Sequence, residues 1–166
     1  MVVAIVVDAC VAGSAGEESS ADPCAVACRG ALEAIRWGNM QFACSAVLLE
    51  EWRRHQSKYA QKWLTSMFAR RRVRHVEPSS LGGVRKAIST RGGASARMLL
   101  KDLHLIEVGV KADRRIVSRD RRAREGFSAL AAHASILKRV LWVDILDDGC
   151  HDWLASGAPS SARYVL

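Results

Sequence analysis

The run "VVAIVVD" at residues 2–8 constrains the fold of this chain more than any other stretch. Six apolar residues, five of them β-branched, come directly before the carboxylate of Asp8. So short and apolar a run predicts a strand that is buried on both faces, as strands are in parallel sheets. An ionised side chain at the edge of a core costs several kcal/mol unless it is paired. We therefore expect a hydrogen-bond partner, a cation or a metal ion beside Asp8.

Short apolar runs alternate with segments of helical periodicity along the rest of the chain. We expect strands over 2–7, 40–45, 114–118 and 139–145, and an extended segment over 72–78. We expect helices over 24–37, 45–72, 98–112 and 121–132, a loop over 13–23, and a weak helix followed by a Gly-rich loop over 79–97. Strands that alternate with helices predict right-handed crossovers and a mainly parallel sheet covered on both faces. The 166 residues suit one α/β domain, with a core over about 2–145 and a short C-terminal tail over 146–166.

The chain is strongly basic. It carries 25 Lys and Arg residues against 17 Asp and Glu, which gives a formal net charge of +8. Such an excess favours polyanionic partners, of which nucleic acid is the commonest. The basic residues cluster in "ARRRVRH" at 69–75 and in "KADRRIVSRDRRAR" at 111–124. Each cluster is either a nucleic-acid contact or an ordinary solvated helix face.

The cysteines and the apolar segments bear on the compartment. Five cysteines, an odd number among apolar neighbours, fit a reducing compartment better than a disulfide framework. Cys24 and Cys28 could share a helix face as metal ligands, but no histidine pair completes a zinc site, which favours buried small side chains. No stretch approaches the roughly 18 apolar residues of a membrane span, and residues 1–7 are too short for a signal peptide. We expect a cytoplasmic protein without membrane contact.

Two aspartates are predicted to meet at one edge of the sheet. Asp8 follows the first strand, and Asp120 stands just past the strand over 114–118. Parallel strands bring their carboxyl ends to a common edge, which is where α/β proteins have their functional cleft. Ser118 lies two residues before Asp120, so its hydroxyl points the same way if the strand continues and could support the acid.

Helical geometry brings two further acids toward the same place. At about 100° per residue, Glu51 falls at the border of its helix's apolar stripe, whereas Glu50 points more nearly away. Asp102 borders the stripe of the helix over 98–112, near its start. Taken singly, Asp102 and Asp120 could be helix caps and Glu51 a surface residue. Converging carboxylates repel one another unless cations neutralise them, and hard oxygen ligands suit Mg²⁺ or Mn²⁺.

Two histidines lie near these segments. His104 points roughly opposite the stripe that Asp102 borders, which predicts a surface residue or a locally hydrogen-bonded one. His75 lies in the basic segment over 69–75 and could touch nucleic acid. Neither histidine is expected to be catalytic.

The acidic motifs resemble those of the PIN-domain ribonucleases, a family that includes the toxins of bacterial toxin–antitoxin pairs. The matching pieces are "VVDACV", "SAVLLEEW" and "KDLHLIEVGVKADRRIVSRD". The third piece is the most specific, because an acid, a helix, a short strand and a Ser-x-Asp sequence recur in that order and spacing. The resemblance covers roughly residues 2–130.

The resemblance implies a fold and an activity. The fold is a three-layer α/β/α sandwich around a mainly parallel sheet, and the activity is Mg²⁺- or Mn²⁺-dependent cleavage of RNA. The metal would be held by Asp8, Glu51, Asp102 and Asp120, with support from Ser118 and Cys10. The basic residues expected to bind flanking RNA phosphates are Arg119, Arg121 and Arg122. A homodimer is expected, with an antitoxin protein as a further partner.

Two positions depart from the family pattern. Cys10 stands where Ser or Thr is common, which alters the support of Asp8. Arg122 stands where a further Asp is common, which leaves open whether one metal ion or two are held. A second function class is therefore a PIN-like nucleic-acid or protein adaptor with a degraded site. A third class, nucleotide binding, is disfavoured because "GSAG" at 13–16 lacks the G-x-G-x-x-G spacing and precedes a polar loop.

Overall fold

The computed structural model of the protein describes residues 2–166, in which five strands alternate with helices. The strands are β1 (Ala4–Val7), β2 (Gln41–Cys44), β3 (Val73–His75), β4 (Arg115–Ser118) and β5 (Leu141–Asp144). The α-helices are α1 (Ala9–Ser14), α2 (Pro23–Trp37), α3 (Ala46–His55), α4 (Lys58–Ala69), α5 (Gly82–Arg91), α6 (Gly93–Lys111), α7 (Arg121–Ala131) and α8 (Cys150–Ala155). Short 3₁₀ turns cover Leu137–Arg139 and Ala162–Tyr164.

The strands form one sheet in the order β3-β2-β1-β4-β5, and every neighbouring pair is parallel. The central strand β1 pairs with β2 through Ile5 and Phe42, and with β4 through Val7 and Val117. Helix α2 packs on α4 and α8, and α6 packs on α5 and α7. The predicted α/β/α sandwich with a parallel sheet is confirmed. All strands run the same way, so their carboxyl ends lie along one edge of the sheet.

The core holds α3 against the end of β1. All four residues of β1 are fully buried. The rings of Phe42, Trp52 and Trp63 pack together with centroids 4.7–5.8 Å apart, and each such pair adds about 0.5–1.5 kcal/mol beyond its burial. The indole of Trp52 donates a hydrogen bond to the carbonyl of Val7 at 2.8 Å. Because Glu51 directly precedes Trp52, this bond also places Glu51 next to the end of β1.

The segment over 45–72 forms two helices, so the prediction of one continuous helix is wrong. Between α3 and α4, Gln56 is extended, with φ −61° and ψ 135°. Ser57 caps α4 by accepting a hydrogen bond from the amide of Ala60 at 3.2 Å. The amide of Ser57 itself donates to the carbonyl of Ala12 at 3.1 Å. The serine cap and this long-range bond interrupt the backbone although the apolar stripe runs across the break.

Two other predicted boundaries are wrong. Helix α1 reaches Ser14, so the loop expected over 13–23 starts later than predicted. Helix α6 begins at Gly93, inside the segment expected to be a Gly-rich loop, and not at residue 98. Gly92 adopts a φ of +65°, a conformation that glycine reaches without strain. It therefore joins α5 to α6 directly, and no loop is needed.

The C-terminal segment packs onto the rest of the core. Trp153, Leu154 and Tyr164 are buried, and the amide of Leu166 donates to the carbonyl of Val140 at 3.0 Å. Helix α8 contacts α2, which joins the end of the chain to the outer helical layer. Within residues 2–166, none of the helices has both the length and the apolar character needed to cross a membrane.

Candidate active site

A pocket of about 550 Å³ opens at the carboxyl edge of the sheet, where β1 ends. The four acids predicted from the sequence all line it, although they come from four separate segments of the chain. These acids are Asp8, Glu51, Asp102 and Asp120. The structure therefore brings together the whole predicted set of carboxylates.

Asp8 lies between β1 and α1, and both of its carboxylate oxygens accept hydrogen bonds. One carboxylate oxygen accepts from the amide of Cys10 at 3.2 Å, which caps α1. The other accepts from the hydroxyl of Ser118 at 2.6 Å and from the thiol of Cys10 at 3.0 Å. These donors are the partners that the apolar sequence around Asp8 requires. They also orient the carboxylate at the pocket wall.

Ser118 is fully buried at the end of β4 and links two of the acids. While its hydroxyl donates to Asp8, the same oxygen accepts a hydrogen bond from the amide of Asp120 at 2.9 Å. Asp120 in turn caps α7, since its carboxylate accepts from the amide of Ala123 at 2.8 Å. Asp120 is thus both a helix cap and a pocket residue. The sequence suggested these two roles as alternatives, and the structure shows that one does not exclude the other.

Asp102 differs from these two acids because its environment opposes ionisation. Burial raises the pKa of its carboxyl from 3.8 to about 6, and the negative charges of Asp8 and Asp120 add to the effect. The positive charge of nearby Lys101 acts in the opposite direction. A carboxylate whose pKa is raised by neighbouring carboxylates gains most when a cation binds among them.

Glu51 lies beside His104, whose Nε2 is 3.2 Å from a carboxylate oxygen of Glu51 but makes no aligned hydrogen bond. The Nδ1 of His104 donates to the carbonyl of Lys101 at 2.9 Å, so the predicted local hydrogen bond is confirmed. The alternative of a surface residue is wrong, because α3 packs against α6 and leaves the side chain only 13% exposed. Glu50 instead pairs with Arg54 on the outer surface of α3.

Cys10 provides a hydrogen-bond donor to Asp8. Burial raises the pKa of its thiol far above the ordinary range, and the charge of Asp8 raises it further. The side chain is therefore a neutral thiol that donates to Asp8, and its sulfur also accepts from the amide of Arg119 at 3.4 Å. A thiol is a weaker donor than a hydroxyl, so its hydrogen bond to Asp8 is weaker than a serine or threonine would make.

Cationic side chains surround the acidic pocket. Arg54, His55 and Lys101 line it, and sequence reasoning missed all three. The positions of two of them in the sequence could have indicated this. Lys101 directly precedes Asp102, and Arg54 lies one helical turn after Glu51. Basic residues beside an acidic pocket provide contacts for phosphates that flank a reacting group.

The predicted phosphate-binding arginines occupy three different environments. Arg119 donates to the hydroxyl of Ser14 at the pocket rim. Arg121 pairs with the buried carboxylate of Asp144 at the end of β5. Arg122 is exposed and lines an adjoining groove together with Arg119 and Arg121. Arg119 and Arg122 are thus the freer of the three for an external anion.

The donor chemistry of the pocket suits a hydrated divalent cation. Across residues 2–166, no group of three or more His, Cys, Asp or Glu side chains is placed to hold a metal ion directly. Asp8 and Asp120 instead direct oxygen atoms to Ser118 and Ala123. Mg²⁺ commonly keeps several waters and takes only one or two carboxylates. Any divalent cation held by these acids would therefore be bound partly through water, since residues 2–166 form no cage for a dehydrated ion.

Comparison with known proteins adds no family to this description. No protein-family model, no curated protein and no solved structure matches the chain. The fold and the site define an α/β/α protein with an acidic pocket at the carboxyl edge of a parallel sheet.

Proposed function

We propose that the protein is a Mg²⁺- or Mn²⁺-dependent endoribonuclease of the PIN-domain type. The observation that carries the proposal is that four acids from separate segments, Asp8, Glu51, Asp102 and Asp120, line one pocket at the carboxyl edge of the sheet. Burial, together with repulsion from the charges of Asp8 and Asp120, raises the pKa of Asp102, and a perturbed acid in such a cleft is typical of functional sites. A divalent cation would relieve that repulsion.

The four acids have different parts in this proposal. Asp102 gains from a cation because burial and the charges of Asp8 and Asp120 disfavour its ionisation. Asp8 and Asp120 are oriented through Ser118, and Glu51 lies on the pocket wall beside His104. A divalent cation supplies an activated water and charge stabilisation for phosphodiester hydrolysis. The carboxylates hold the cation and are not covalent nucleophiles.

The substrate class follows from charge and from the resemblance. The net charge of +8 favours a polyanion, and Lys101 stands at the pocket where flanking phosphates would lie, whereas Arg54 beside it pairs with Glu50. RNA is chosen over DNA because the acidic motifs resemble ribonucleases. We expect affinity that falls steeply with salt and depends little on sequence.

The proposal extends to compartment and partners. All five cysteines are free, which suits a reducing cytoplasm. A homodimer and a small antitoxin protein are expected from the resemblance to toxin-type members of the family. A short gene that lies upstream of this one and overlaps it would support a toxin–antitoxin pair.

A second candidate is a PIN-like adaptor that binds nucleic acid or protein without cleaving. The observation that favours it is the absence, within residues 2–166, of a group of side chains placed to hold a metal directly. Calorimetry with Mn²⁺ separates the two candidates, because an adaptor retains RNA but binds no Mn²⁺ in the pocket.

The enzyme hypothesis is tested by cleavage of a labelled single-stranded RNA. We expect cleavage with Mg²⁺ or Mn²⁺ that chelation stops, and a loss of about 100-fold or more in Asp120→Asn. Asparagine is also a good helix cap, so this variant should keep α7 intact. Asp148→Asn, which changes an exposed acid outside the pocket, is the matched control. If Asp8→Asn and Asp120→Asn both cleave as fast as the parent, the assignment of the site is wrong.

A further inference from the structure

The edge of the sheet opposite the acidic pocket is rich in arginine and carries an exposed tryptophan. In a parallel sheet the segments that lead into the strands all lie at the amino edge. The arginines in these segments or at the strand starts are Arg36, Arg70, Arg71, Arg72, Arg114, Arg115 and Arg139. Trp37 belongs to the segment that leads into β2. Neighbouring strands lie about 4.8 Å apart, so the row extends over about 19 Å from the first strand of the sheet to the fifth. We call it the amino-edge surface.

Trp37 is unlike the other tryptophans of the protein. Its side chain is 63% exposed, whereas the remaining four tryptophans are at most 5% exposed. The indole is nevertheless held in place, since Nε1 donates to the carboxylate of Glu33 at 2.7 Å. The guanidinium of Arg70 lies 4.5 Å from the ring centroid, and that of Arg36 lies 5.1 Å away. An aromatic ring that is fixed yet exposed offers a flat surface to a stacking partner.

The arginines of the amino-edge surface are mostly unneutralised. The two acids nearby already have partners. Glu33 pairs with Arg36. Asp113 accepts a hydrogen bond from the amide of Ala4 at 2.7 Å and lies 3.8 Å from Arg74. Within residues 2–166, the following arginines have no carboxylate oxygen within 4.0 Å: Arg70, Arg71, Arg72, Arg114 and Arg139. The buried Nε of Arg114 also lacks a hydrogen-bond partner. The surface therefore keeps a net positive charge.

We propose that the amino-edge surface binds single-stranded RNA, with a base stacked on Trp37 and backbone phosphates paired with the surrounding arginines. A polynucleotide is the partner that combines a flat aromatic group with regularly spaced anions. The inference deepens the proposed ribonuclease function, because it adds a second contact for the same substrate on the edge away from the acids. RNA held there would be retained without contact with Asp8, Asp102 or Asp120.

The test measures RNA binding in the presence of a chelator, so that it does not depend on cleavage. A 12-nucleotide oligouridylate is titrated into the protein while tryptophan emission is recorded. Because only Trp37 is exposed, stacking should quench its emission, and Trp37→Phe should lose most of that quench. By anisotropy of a labelled oligouridylate, Trp37→Ala should bind about 5-fold or more weakly. Val26→Ala, on the same helix and 50% exposed, should bind like the parent.

The electrostatic part is tested by the salt dependence of the same anisotropy titration. Arg71→Gln should lower the slope of log K against log salt by about 0.7, the value for one phosphate contact on a single strand. Lys86→Gln, on the exposed side of α5, removes the same charge and should leave the slope unchanged. Inorganic polyphosphate carries charge without bases, so its binding should respond to Arg71→Gln but not to Trp37→Ala.

The results separate this inference from the proposed function. If Trp37→Ala binds oligouridylate as tightly as the parent, or if the parent shows no binding under chelation, the amino-edge surface is not an RNA site. Either result leaves the metal-dependent cleavage assay to decide the ribonuclease proposal. Conversely, a protein that fails to cleave RNA but loses affinity in Trp37→Ala supports the surface and not the enzyme.

Discussion

Replacing Asp102 with asparagine should stabilise the folded protein at neutral pH. Asparagine has the shape of the protonated acid but carries no charge, whereas burial, and then the charges of Asp8 and Asp120, disfavour the ionised form of Asp102. A pKa raised from 3.8 to about 6 corresponds to about 3 kcal/mol. The side chain is only partly buried, so solvent screening reduces this value, and we expect a gain of about 1–2 kcal/mol in the free energy of unfolding.

The difference in stability between Asp102→Asn and the parent should depend on pH in a definite direction. Below about pH 3.8 the carboxyl of Asp102 is protonated in both the folded and the unfolded state, and the variant should match the parent. As the pH rises toward about 6, the unfolded state ionises first, so the parent loses stability relative to Asp102→Asn. Above that pH the full difference is present and constant.

The assay is urea unfolding of parent and variant at a series of pH values from 4 to 8, without divalent cations. In thermal unfolding at pH 7.5, the same gain should raise the melting temperature by about 2–8 °C. Asp148→Asn, at an exposed position, should show no such pH-dependent gain. A difference between Asp102→Asn and the parent that is negative, or that does not change with pH, would refute the account of charge repulsion in the pocket.

Two further substitutions test local parts of the structure. Ser57→Ala removes the cap of α4 and should destabilise the protein by about 1 kcal/mol in chemical denaturation, whereas Ser57→Asp, which restores a capping oxygen, should recover most of the loss. Cys10→Ser supplies a stronger donor to Asp8, so cleavage activity should be kept or increased, and a loss of activity with intact folding would show that the thiol is needed for another reason.

The arrangement of the sheet and the acids could be predicted from local sequence signals. The apolar run before Asp8 marks a doubly buried strand, and the order of strands and helices implies a parallel sheet, so Asp8 and Asp120 fall at a common edge. Helical geometry was enough to prefer Glu51 over Glu50. These predictions depend only on the periodicity within a single strand or a single helix. Each can therefore be made from one short stretch of the sequence.

The predictions that were wrong depend on contacts between distant segments. The break at Ser57 is held by a bond to the carbonyl of Ala12, which no window around residue 57 contains. The position of His104 depends on α3 lying against α6, so the outer side of one helix is covered by another. The position of the Trp37 ring beside a guanidinium was not predicted at all, because Arg70 comes from the end of a different helix.

The pairing of β1 with β4 has a consequence for when the pocket first exists. Asp8 is made early in synthesis, but the hydroxyl that orients it belongs to Ser118, and Asp120 follows only two residues later. Residues up to Asp120 must therefore be present before the acids can be assembled. A polypeptide that ends before β4 carries Asp8 and Glu51 without the hydroxyl that orients Asp8, so the pocket exists only once β4 has paired with β1.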